Sequence, residues 1–360
     1  MTLSTLFAII LGRRLGLRQE EQMRGILEET SAVRMYKLIV QIIRITLFFE
    51  LFGASLLILK WLPVMGPQLA VKQAVFHSVS AFCNAGFSLN SASLAGYVDD
   101  IYINAVFMVL IIFGGLGFIV IDDLIKNIRN YNPFSIKWSR INTHTKVVLV
   151  TSAFLLITGT LGVFFFEFDN AMLDLSTTDK LLAAAFQSVT FRTAGFNTID
   201  IGGLRDVTLF IGIMLMFIGA SPSSTGGGIK TTTFAILILT VRAMLTSREK
   251  VEIYSRTIPQ QTVYKSIAIM LFSSTFIVLI TILLLATQKG TFIGILFEAV
   301  SAIGTVGLST GVTGHLNATG KWLITILMYV GRVGPLTIAL ALGEVKKVNV
   351  EYPTTRITVG

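Results

Sequence analysis

The chain has few charged residues: Asp, Glu, Lys and Arg together make up only 14% of its 360 residues. A soluble protein needs about 25% charged residues to cover its surface. Hydrophobic residues instead reach 53% of the chain. This composition excludes an ordinary soluble enzyme, a disordered chain and a collagen-like chain. It predicts an all-α integral membrane protein with several spans.

Cysteine and histidine are equally scarce. The single cysteine, Cys83, excludes a disulfide framework within one chain. The three histidines, His77, His144 and His315, lie far apart in the sequence and show no metal-ligand spacing. A membrane enzyme would need clusters of His, Asp or Glu within its spans. The sequence shows no such cluster, and we therefore do not expect an enzyme.

Positive charge is concentrated in alternate connections between the long apolar stretches. Those stretches run at about 38–61, 102–121, 147–167, 206–241, 266–287 and 322–343. Of the 29 Lys and Arg residues, 20 lie in 13–44, 124–146, 242–265 and 344–360, and six lie in the other connections. Because positive charge biases loop orientation, the basic connections and the C-terminus are predicted to face the cytoplasm. The net charge of +9 thus reflects topology, and no nucleic-acid-binding module accompanies it.

Three segments repeat along the chain without gaps. They are FHSVSAFCNAGFSL (76–89), FQSVTFRTAGFNTI (186–199) and FEAVSAIGTVGLST (297–310). Each has Phe first, Val fourth, Ser or Thr fifth and a glycine eleventh, and these glycines are Gly86, Gly195 and Gly307. A second glycine follows each motif by 24 to 28 residues, at Gly114, Gly219 and Gly331. Repetition at a near-constant period indicates one structural unit used three times.

Each unit consists of a long apolar span, a short apolar segment, the Gly motif and a second span. The short segment cannot cross a bilayer and predicts a re-entrant helix. Irregular backbone at membrane depth is tolerated only where it is buried in protein or lines a watery cavity. Glycines that turn carbonyls inward around one axis would form a ring of oxygens able to replace the water around a small cation. The alternative is a packing motif, in which small residues let helices approach closely.

The apolar stretch 206–241 is too long for one straight span. Its 36 residues would measure about 54 Å as a helix, whereas a bilayer core is about 30 Å thick. The middle of the stretch reads GASPSSTGGG (219–228), and Pro with three consecutive Gly cannot remain helical. We therefore predict two half-helices joined by a loop beneath the Gly195 motif. The alternative is a kink that only relieves hydrophobic mismatch.

These motifs resemble those of the Trk/Ktr/HKT superfamily of cation transporters, in particular the membrane subunit of bacterial Ktr systems (KtrB). The resemblance rests on NAGF (84–87), TAGF (193–196), TVGL (305–308), SPSSTGGGIKTTT (221–233) and the closing YPTTRITVG (352–360). It covers essentially the whole chain. It implies units of outer helix, re-entrant pore helix, filter and inner helix around a pseudo-fourfold pore that carries potassium across the plasma membrane.

The resemblance also implies roles for individual residues. The ion-binding filter would comprise Asn84, Ala85, Gly86, Phe87, Thr193, Ala194, Gly195, Phe196, Thr305, Val306, Gly307 and Leu308. The intramembrane gate would comprise Ser224, Thr225, Gly226, Gly227, Gly228, Lys230 and Arg332. Arg332 is expected to be an electrostatic barrier or a latch on loop carbonyls, with a structural salt bridge as the alternative. Arg192 and Glu298 are expected to support the filter from behind, and Glu50 has no assigned role.

Partners and ligands follow from the resemblance alone. The family works as a homodimer with one pore per subunit. Ktr pores sit on a cytoplasmic ring of nucleotide-binding RCK-type subunits (KtrA-like), which open or close the gate with ATP and ADP. The basic connections and the C-terminal tail are where such a ring would make contact. The chain itself is expected to hold no cofactor, and potassium, with sodium as the alternative ion, is expected only at the filter residues.

Three complete units are present, and they divide the chain. Residues 1–12 are expected to end a first inner helix. The pore units are 38–123, 147–241 with the broken inner helix and gate loop, and 266–343. Cytoplasmic connections at 13–37, 124–146 and 242–265 separate them, and a cytoplasmic tail follows at 344–360. The family has four units, and we expect the chain as given to supply three quarters of a filter and not to conduct alone.

Two other interpretations remain open at the level of sequence. One is a secondary transporter with broken helices that carries another cation or a small solute by alternating access. That fold does not predict three re-entrant units with equivalent Gly motifs. The other is a truncated, nonconducting remnant. Potassium and sodium also remain undecided, because in related proteins the first filter sets that preference.

Overall fold

The structure, a computed structural model, describes residues 32–130 and 138–334, with side chains described at 39–128 and 138–334. Several predicted segments fall outside these ranges: residues 1–12, most of the connection 13–37, and the tail 344–360 with its YPTTRITVG ending. Within the described ranges the regular structure is helical, as predicted, apart from one short β-hairpin.

The helices form three successive units, which are numbered here in chain order. The first unit contains α1 (Ala32–Met65), α2 (Pro67–Phe82), α3 (Ile101–Leu116) and α4 (Phe118–Asn130). The second contains α5 (Thr143–Glu167), α6 (Thr177–Phe191), α7 (Asp206–Phe217) and α8 (Thr231–Leu245). A hairpin of β1 (Glu252–Ile253) and β2 (Arg256–Thr257) follows it. The third contains α9 (Gln260–Thr287), α10 (Phe292–Ile303), the short α11 (Val312–His315) and α12 (Ala318–Val333).

The outer helices α1, α5 and α9 are each long and apolar enough to cross a membrane. Only 22% to 28% of their most apolar windows is buried within the protein. Apolar surface that the protein does not bury is stable in contact with lipid. The three outer helices therefore form the lipid-facing layer of a multi-pass membrane protein.

The re-entrant helices α2, α6 and α10 lie inside this layer. They have 16, 15 and 12 residues, which is too short to cross a bilayer. The side chains of α6 and α10 are largely buried, and Phe186, Phe191 and Phe297 are fully so, whereas α2 buries only one face. At the starts of α6 and α10, the hydroxyl groups of Ser176 and Thr291 accept backbone amides of the first turn, which caps each helix at its N-terminus.

The first inner helix ends earlier than its apolar stretch 102–121 indicates. Helix α3 stops at Leu116, Gly117 has a φ of 92°, and α4 leaves at 101° to α3. The reason lies in α4, which carries Asp122, Asp123 and Lys126 and could not continue through an apolar layer at low cost.

The second inner helix is broken in the predicted place. Helix α7 ends at Phe217 and α8 begins at Thr231, with an irregular loop between them. The 13 residues of the loop, 218–230, are called the intramembrane loop below. No kinked but continuous helix crosses this stretch, and the loop returns into the centre of the protein.

Candidate ion pathway

Each Gly motif is an irregular segment that directly follows the C-terminus of a pore helix. Its first and third residues both lie in the left-handed region of backbone conformation, and the residue between them does not. The first residues are Asn84, Thr193 and Thr305, with φ of 50°, 71° and 52°, and the third are Gly86, Gly195 and Gly307, with φ of 72°, 85° and 88°. Because the backbone conformation alternates between left-handed and other regions from one residue to the next, successive carbonyl groups point to the same side of the chain.

The left-handed conformation is costly for the residue that opens each motif. An L-residue with a Cβ loses about 1–2 kcal/mol there, and Asn84, Thr193 and Thr305 all adopt it. Strain that recurs at one position of three repeats is held by the surrounding structure. The geometry gives each motif a row of carbonyl oxygens, which is the chemistry that replaces a cation's hydration shell.

A hydroxyl group on each pore helix fixes the far end of its motif. The Oγ atoms of Ser80 and Ser301 donate to the carbonyls of Phe87 and Leu308, each at 2.7 Å. Thr190 donates in the same way to the carbonyl of Phe196. These are the Ser or Thr residues at the fifth place of the repeat, whose role the sequence analysis missed. The repeated hydroxyl was the pattern that could have revealed it.

The three motifs lie side by side at the centre of the protein. A Cβ on Gly86 would lie 2.7 Å from the carbonyl oxygen of Ala194, and a Cβ on Gly195 would lie 2.3 Å from that of Val306. A Cβ on Gly307 would meet no described atom within 4 Å. The first motif thus touches the second and the second touches the third, and at both contacts only glycine fits.

The second glycine of the repeat brings the inner helix against the end of the pore helix. A Cβ on Gly114 would lie 2.0 Å from the carbonyl oxygen of Phe82, and a Cβ on Gly331 would lie 1.9 Å from that of Ile303. Gly219 differs, because its inner helix is broken: a Cβ there would meet the Gly227 carbonyl oxygen at 2.1 Å. The second glycine therefore packs the inner helix against the pore helix in two units. In the unit with the loop, it packs against the loop itself.

The intramembrane loop lies directly against the filter motifs. A Cβ on Gly226 would lie 2.2 Å from Oγ1 of Thr193, and one on Gly227 would lie 2.1 Å from Oγ1 of Thr305. Gly228 has a φ of 72°. The run of three glycines is thus explained by the closeness of Thr193 and Thr305 and by the tight turn that follows.

The first unit holds the loop from the side. The amides of Ser221 and Thr225 donate to the carbonyls of Gly115 and Gly114, at 3.0 and 3.3 Å. The Thr225 hydroxyl is within hydrogen-bonding distance of the Phe82 and Gly114 carbonyls, at 3.2 and 3.1 Å.

The N-terminus of α4 makes a further contact with the loop. The backbone amide of Phe118 donates to the carbonyl of Ser223 at 3.0 Å, and Ser224 closes a turn within the loop by donating to Ser221. Helix α4 itself is anchored through Asp122, which accepts from Gln41 of α1, and through Asp123, which accepts from the Asn142 amide at 3.1 Å. The loop is therefore connected to two outer helices through the bend at Gly117.

Two positive charges contact the carbonyls of the loop. Lys230 Nζ donates to the Gly226 carbonyl at 2.8 Å, and Arg332 Nη1 donates to the Thr225 carbonyl at 3.0 Å. Both side chains line a cavity of about 280 Å³ beside the loop. Among the described residues neither forms an ion pair. Their positive charge is therefore not neutralised by a described carboxylate.

The two predicted support residues act at different places. Arg192 is buried, and its Nη2 contacts Ser152 Oγ at 3.3 Å and the Gly219 carbonyl at 3.4 Å, where the intramembrane loop begins. Glu298 accepts from the Ser309 hydroxyl and the Thr310 amide, at 2.6 and 2.9 Å. Glu298 thus holds the chain that follows the third filter motif, whereas Arg192 contacts the start of the loop.

Glu50, which had no assigned role, lies beside the first motif. Its carboxylate is 3.7 Å from Cys83 Sγ, and its backbone carbonyl accepts from Ser78 of the pore helix at 2.7 Å. Across residues 32–130 and 138–334 there is no group of three or more His, Cys, Asp or Glu side chains that could hold a metal ion.

The protein has lipid-facing outer helices, re-entrant helices inside them, and irregular, glycine-containing backbone at its centre. Together these features define the class of protein. The protein is a multi-pass membrane protein built from repeated pore-type units. A family profile described as TrkH, cation transport protein, matches residues 7–348. The chain belongs to this family of cation transport proteins, and not to a family of enzymes.

Individual relatives agree with the family. The Ktr system potassium uptake protein B of Vibrio alginolyticus is 38% identical over 362 residues, which cover all of this chain and 78% of the relative. The protein of the same name from Bacillus subtilis (strain 168) is 36% identical, covering all of this chain and 80% of its own length. The potassium/sodium uptake protein NtpJ of Enterococcus hirae is also 36% identical, over 93% of this chain and 74% of its own length.

The fold is also found in a solved structure. The crystal structure of the potassium transporter TrkH from Vibrio parahaemolyticus matches with a TM-score of 0.69. The match covers 95% of this chain and 68% of that one, at 19% sequence identity. At this identity the likeness establishes the fold, which is the repeated-unit membrane architecture predicted from the sequence.

Proposed function

We propose that this chain is the pore-forming subunit of a Ktr-type potassium uptake system. The observation that carries the proposal is the alternating backbone conformation of three equivalent Gly motifs, which lie against one another at the centre of the protein. Carbonyl oxygens arranged in this way replace the hydration shell of a cation. Two of the relatives are named potassium uptake proteins, which supports potassium as the ion.

Sodium is the second candidate ion. One relative, which is 36% identical to this chain, is named a potassium/sodium uptake protein. A protein of similar sequence is therefore named for both ions. The filter residues in the proposal are Asn84 to Phe87, Thr193 to Phe196 and Thr305 to Leu308. Within each group, the carbonyl of the last residue turns back to the pore helix, and the carbonyls before it supply the ligands.

The intramembrane loop is the proposed gate. It lies against the filter threonines, and its position is maintained by polar contacts to the first unit and to Arg332. Within the loop, Lys230 donates to the Gly226 carbonyl. A hydrogen bond contributes about 0.5–1.5 kcal/mol net, so a small number of such bonds gives a closed state that a partner can release. The two positive charges add an electrostatic barrier to a cation on this side of the filter.

The basic connections and the C-terminus are proposed to face the cytoplasm, which places the loop on the cytoplasmic side of the filter. The proposed assembly is a homodimer on a ring of nucleotide-binding RCK-type subunits, with ATP and ADP bound by the ring. Helix α4 supports this coupling, because it begins at the loop with Phe118 and runs into the basic connection 124–146. A shift of α4 would move the loop directly.

Growth rescue tests the proposal. The chain is expressed in cells that lack their potassium uptake systems, with and without a nucleotide-binding partner, both as given and extended upstream by one repeat. We expect the extended form with its partner to restore growth at low potassium. Membrane insertion is checked by immunoblot, so that a negative result is not confused with poor expression.

A matched pair of variants links growth to the filter. Gly195→Ala places a Cβ against the Val306 carbonyl, whereas Gly314→Ala places one where no described atom lies within 4 Å. We expect the first to abolish rescue and the second to preserve it. Absence of rescue by every inserted form would overturn the proposal, and so would equal rescue by both variants.

A further inference from the structure

A second cavity, of about 540 Å³, lies at the end of α8 and shares no lining residue with the cavity beside the loop. Its charged lining comprises Arg242 in the last turn of α8, Arg248 and Lys250 in the connection that follows, and Glu252 of β1. Three cations face one carboxylate in this cavity. From the sequence, the basic connection 242–265 was expected to face the cytoplasm and to be one of the places where a partner ring makes contact.

One wall of the cavity is the tip of the β-hairpin. Tyr254 and Ser255 have φ of 47° and 59°, and the register pairs Ile253 with Arg256, so the two residues form the turn. Two successive left-handed residues match the twist of a hairpin, but such turns usually use Asn, Asp or Gly. A strained turn without these residues indicates that the side chains at the tip are required there.

The hairpin tip is also attached to the second outer helix. Lys146 Nζ lies 5.5 Å from the centroid of the Tyr254 ring and 6.0 Å from that of Trp138. A cation over an aromatic face is attracted by the electrons of the ring. The wall that Tyr254 forms is therefore fixed against α5, and the cavity is a built feature of the fold.

The cations are only partly neutralised. Arg248 Nη1 lies 3.5 Å from Glu252 Oε2. Within residues 39–128 and 138–334, neither Arg242 nor Lys250 forms an ion pair. The lining therefore keeps two positive charges available for an anionic group. Tyr254 and Ser255 also line the cavity, and the hydroxyl group that each carries suits the oxygens of a phosphate.

Apolar side chains beside the cavity indicate where the rest of a ligand would lie. Val241, Met244 and Leu245 of α8 are 56%, 75% and 82% exposed. They occupy the end of a half-helix that emerges from the centre of a membrane protein. Basic pockets between membrane helices on the cytoplasmic side bind phosphate headgroups of anionic lipids. A headgroup in the cavity would leave its acyl chains along these residues.

We propose that this cavity binds the phosphate headgroup of an anionic phospholipid in the leaflet that α8 reaches. The site does not depend on ion conduction. It would attach the far end of the broken inner helix to the membrane, and the intramembrane loop lies at the other end of that same half-helix.

Native mass spectrometry tests the proposal. The full chain is purified in detergent, and retained phosphatidylglycerol is titrated against phosphatidylcholine as the reference lipid. The variant is Arg242→Gln with Lys250→Gln, which removes both free charges. The control is Arg205→Gln with Lys289→Gln, two exposed cations in other connections. A juxtamembrane Lys or Arg contributes enough to anionic lipid binding that we expect a roughly thirtyfold weaker affinity for phosphatidylglycerol in the first pair.

Three results would overturn the proposal. The first is an equal affinity for phosphatidylglycerol in the two double variants and in the unaltered chain. The second is displacement of the lipid by millimolar inorganic phosphate, which would assign the site to a soluble phosphate. The third is unchanged lipid retention together with loss of a nucleotide-binding partner in a pull-down, which would make the surface a protein-docking site.

Discussion

The filter motifs and the intramembrane loop are both irregular, glycine-containing backbone at the centre of the protein, and they are held in different ways. Each motif follows a buried pore helix whose Ser or Thr fixes its last carbonyl. Neighbouring motifs also leave no room for a Cβ at Gly86 or Gly195. The loop is packed as closely where Gly226 and Gly227 meet Thr193 and Thr305. It differs in having a cavity of about 280 Å³ on one side and hydrogen bonds from Thr225 to the first unit and from Arg332 to the loop.

This difference separates a rigid element from a releasable one. Backbone packed against backbone cannot move without displacing several elements. A hydrogen bond between a hydroxyl and a carbonyl can be exchanged at small net cost. We therefore propose that the filter motifs form a fixed ligand cage and that the loop is a two-state element. Four predictions test this contrast, and the largest effect comes first.

The largest effect is expected where the filter is altered. The form extended upstream by one repeat is used for every flux measurement. In it, Gly195→Ala combines a left-handed φ of 85° with a Cβ 2.3 Å from the Val306 carbonyl oxygen. The left-handed strain alone is about 1–2 kcal/mol, and the overlap adds to it. We expect rubidium flux in proteoliposomes to fall at least roughly tenfold. Flux at the level of the Gly314→Ala control would contradict a rigid filter.

The second prediction concerns the loop. Thr225→Val keeps the shape of the side chain and removes the hydroxyl beside the Phe82 and Gly114 carbonyls. We expect partner-independent flux to rise several-fold, because the closed position loses about 0.5–1.5 kcal/mol. Thr240→Val is the matched control, since its hydroxyl donates only to Ile236 within α8. A fall in flux, or an equal rise in the control, would argue against a gate at this place.

The third prediction separates two roles of Arg332. Its guanidinium donates to the Thr225 carbonyl at 3.0 Å and also carries a charge beside the pathway. Arg332→Gln removes the charge, and we expect a roughly threefold increase in partner-independent flux, as for loss of one hydrogen bond. Arg332→Lys keeps the charge but not the planar donor group. Low flux in the Lys variant would identify a barrier, and raised flux would identify a latch.

The smallest effect is expected outside both regions. Asp100 caps α3 by accepting the Ile103 amide and pairs with Lys60 at 2.7 Å. Burial opposes its charge, but the hydrogen bonds from Lys60 and Ile103 prevail and hold the pKa of Asp100 below its ordinary value. Asp100→Asn keeps a good capping residue and removes the ion pair. We expect unaltered flux and less than about 1 kcal/mol of lost stability.

The pH dependence of this variant gives the sign of the effect. A depressed folded-state pKa contributes stability that is present above the unfolded value, about 3.9 for Asp, and is lost as pH falls through the folded value. The melting temperatures of the unaltered protein and of Asp100→Asn should therefore differ at neutral pH and converge in strong acid. A gap that widens in acid would contradict the ion pair.

Much of the fold could be predicted because membrane constraints act on the local sequence. Spans need about 20 apolar residues, and the three outer helices were found by that rule. Pro222 and the three glycines at 226–228 predicted the break between α7 and α8. The bend at Gly117 was missed, since the apolar character of Phe118 to Ile121 hid the start of an amphipathic helix.

Candidate site residues were named from repetition and from the family resemblance, but their contact partners were not predicted. The filter glycines and the loop glycines were both named from the sequence, and the structure brings Gly226 and Gly227 against Thr193 and Thr305. Arg192 was predicted to support a filter, and its contact with the Gly219 carbonyl lies at the start of the loop. A buried arginine has several reachable acceptors, and the sequence does not say which one lies nearest.

The sequence by itself determined the class of the protein, the repeated unit, the places of irregular backbone and the uneven distribution of charge. Each of these follows from composition or spacing within one segment of chain. Only the tertiary structure decided which motif touches which, why Ser80, Thr190 and Ser301 recur, and that Thr225 reaches Phe82, 143 residues away. Such contacts join residues distant in sequence, and their geometry is set by how the helices pack.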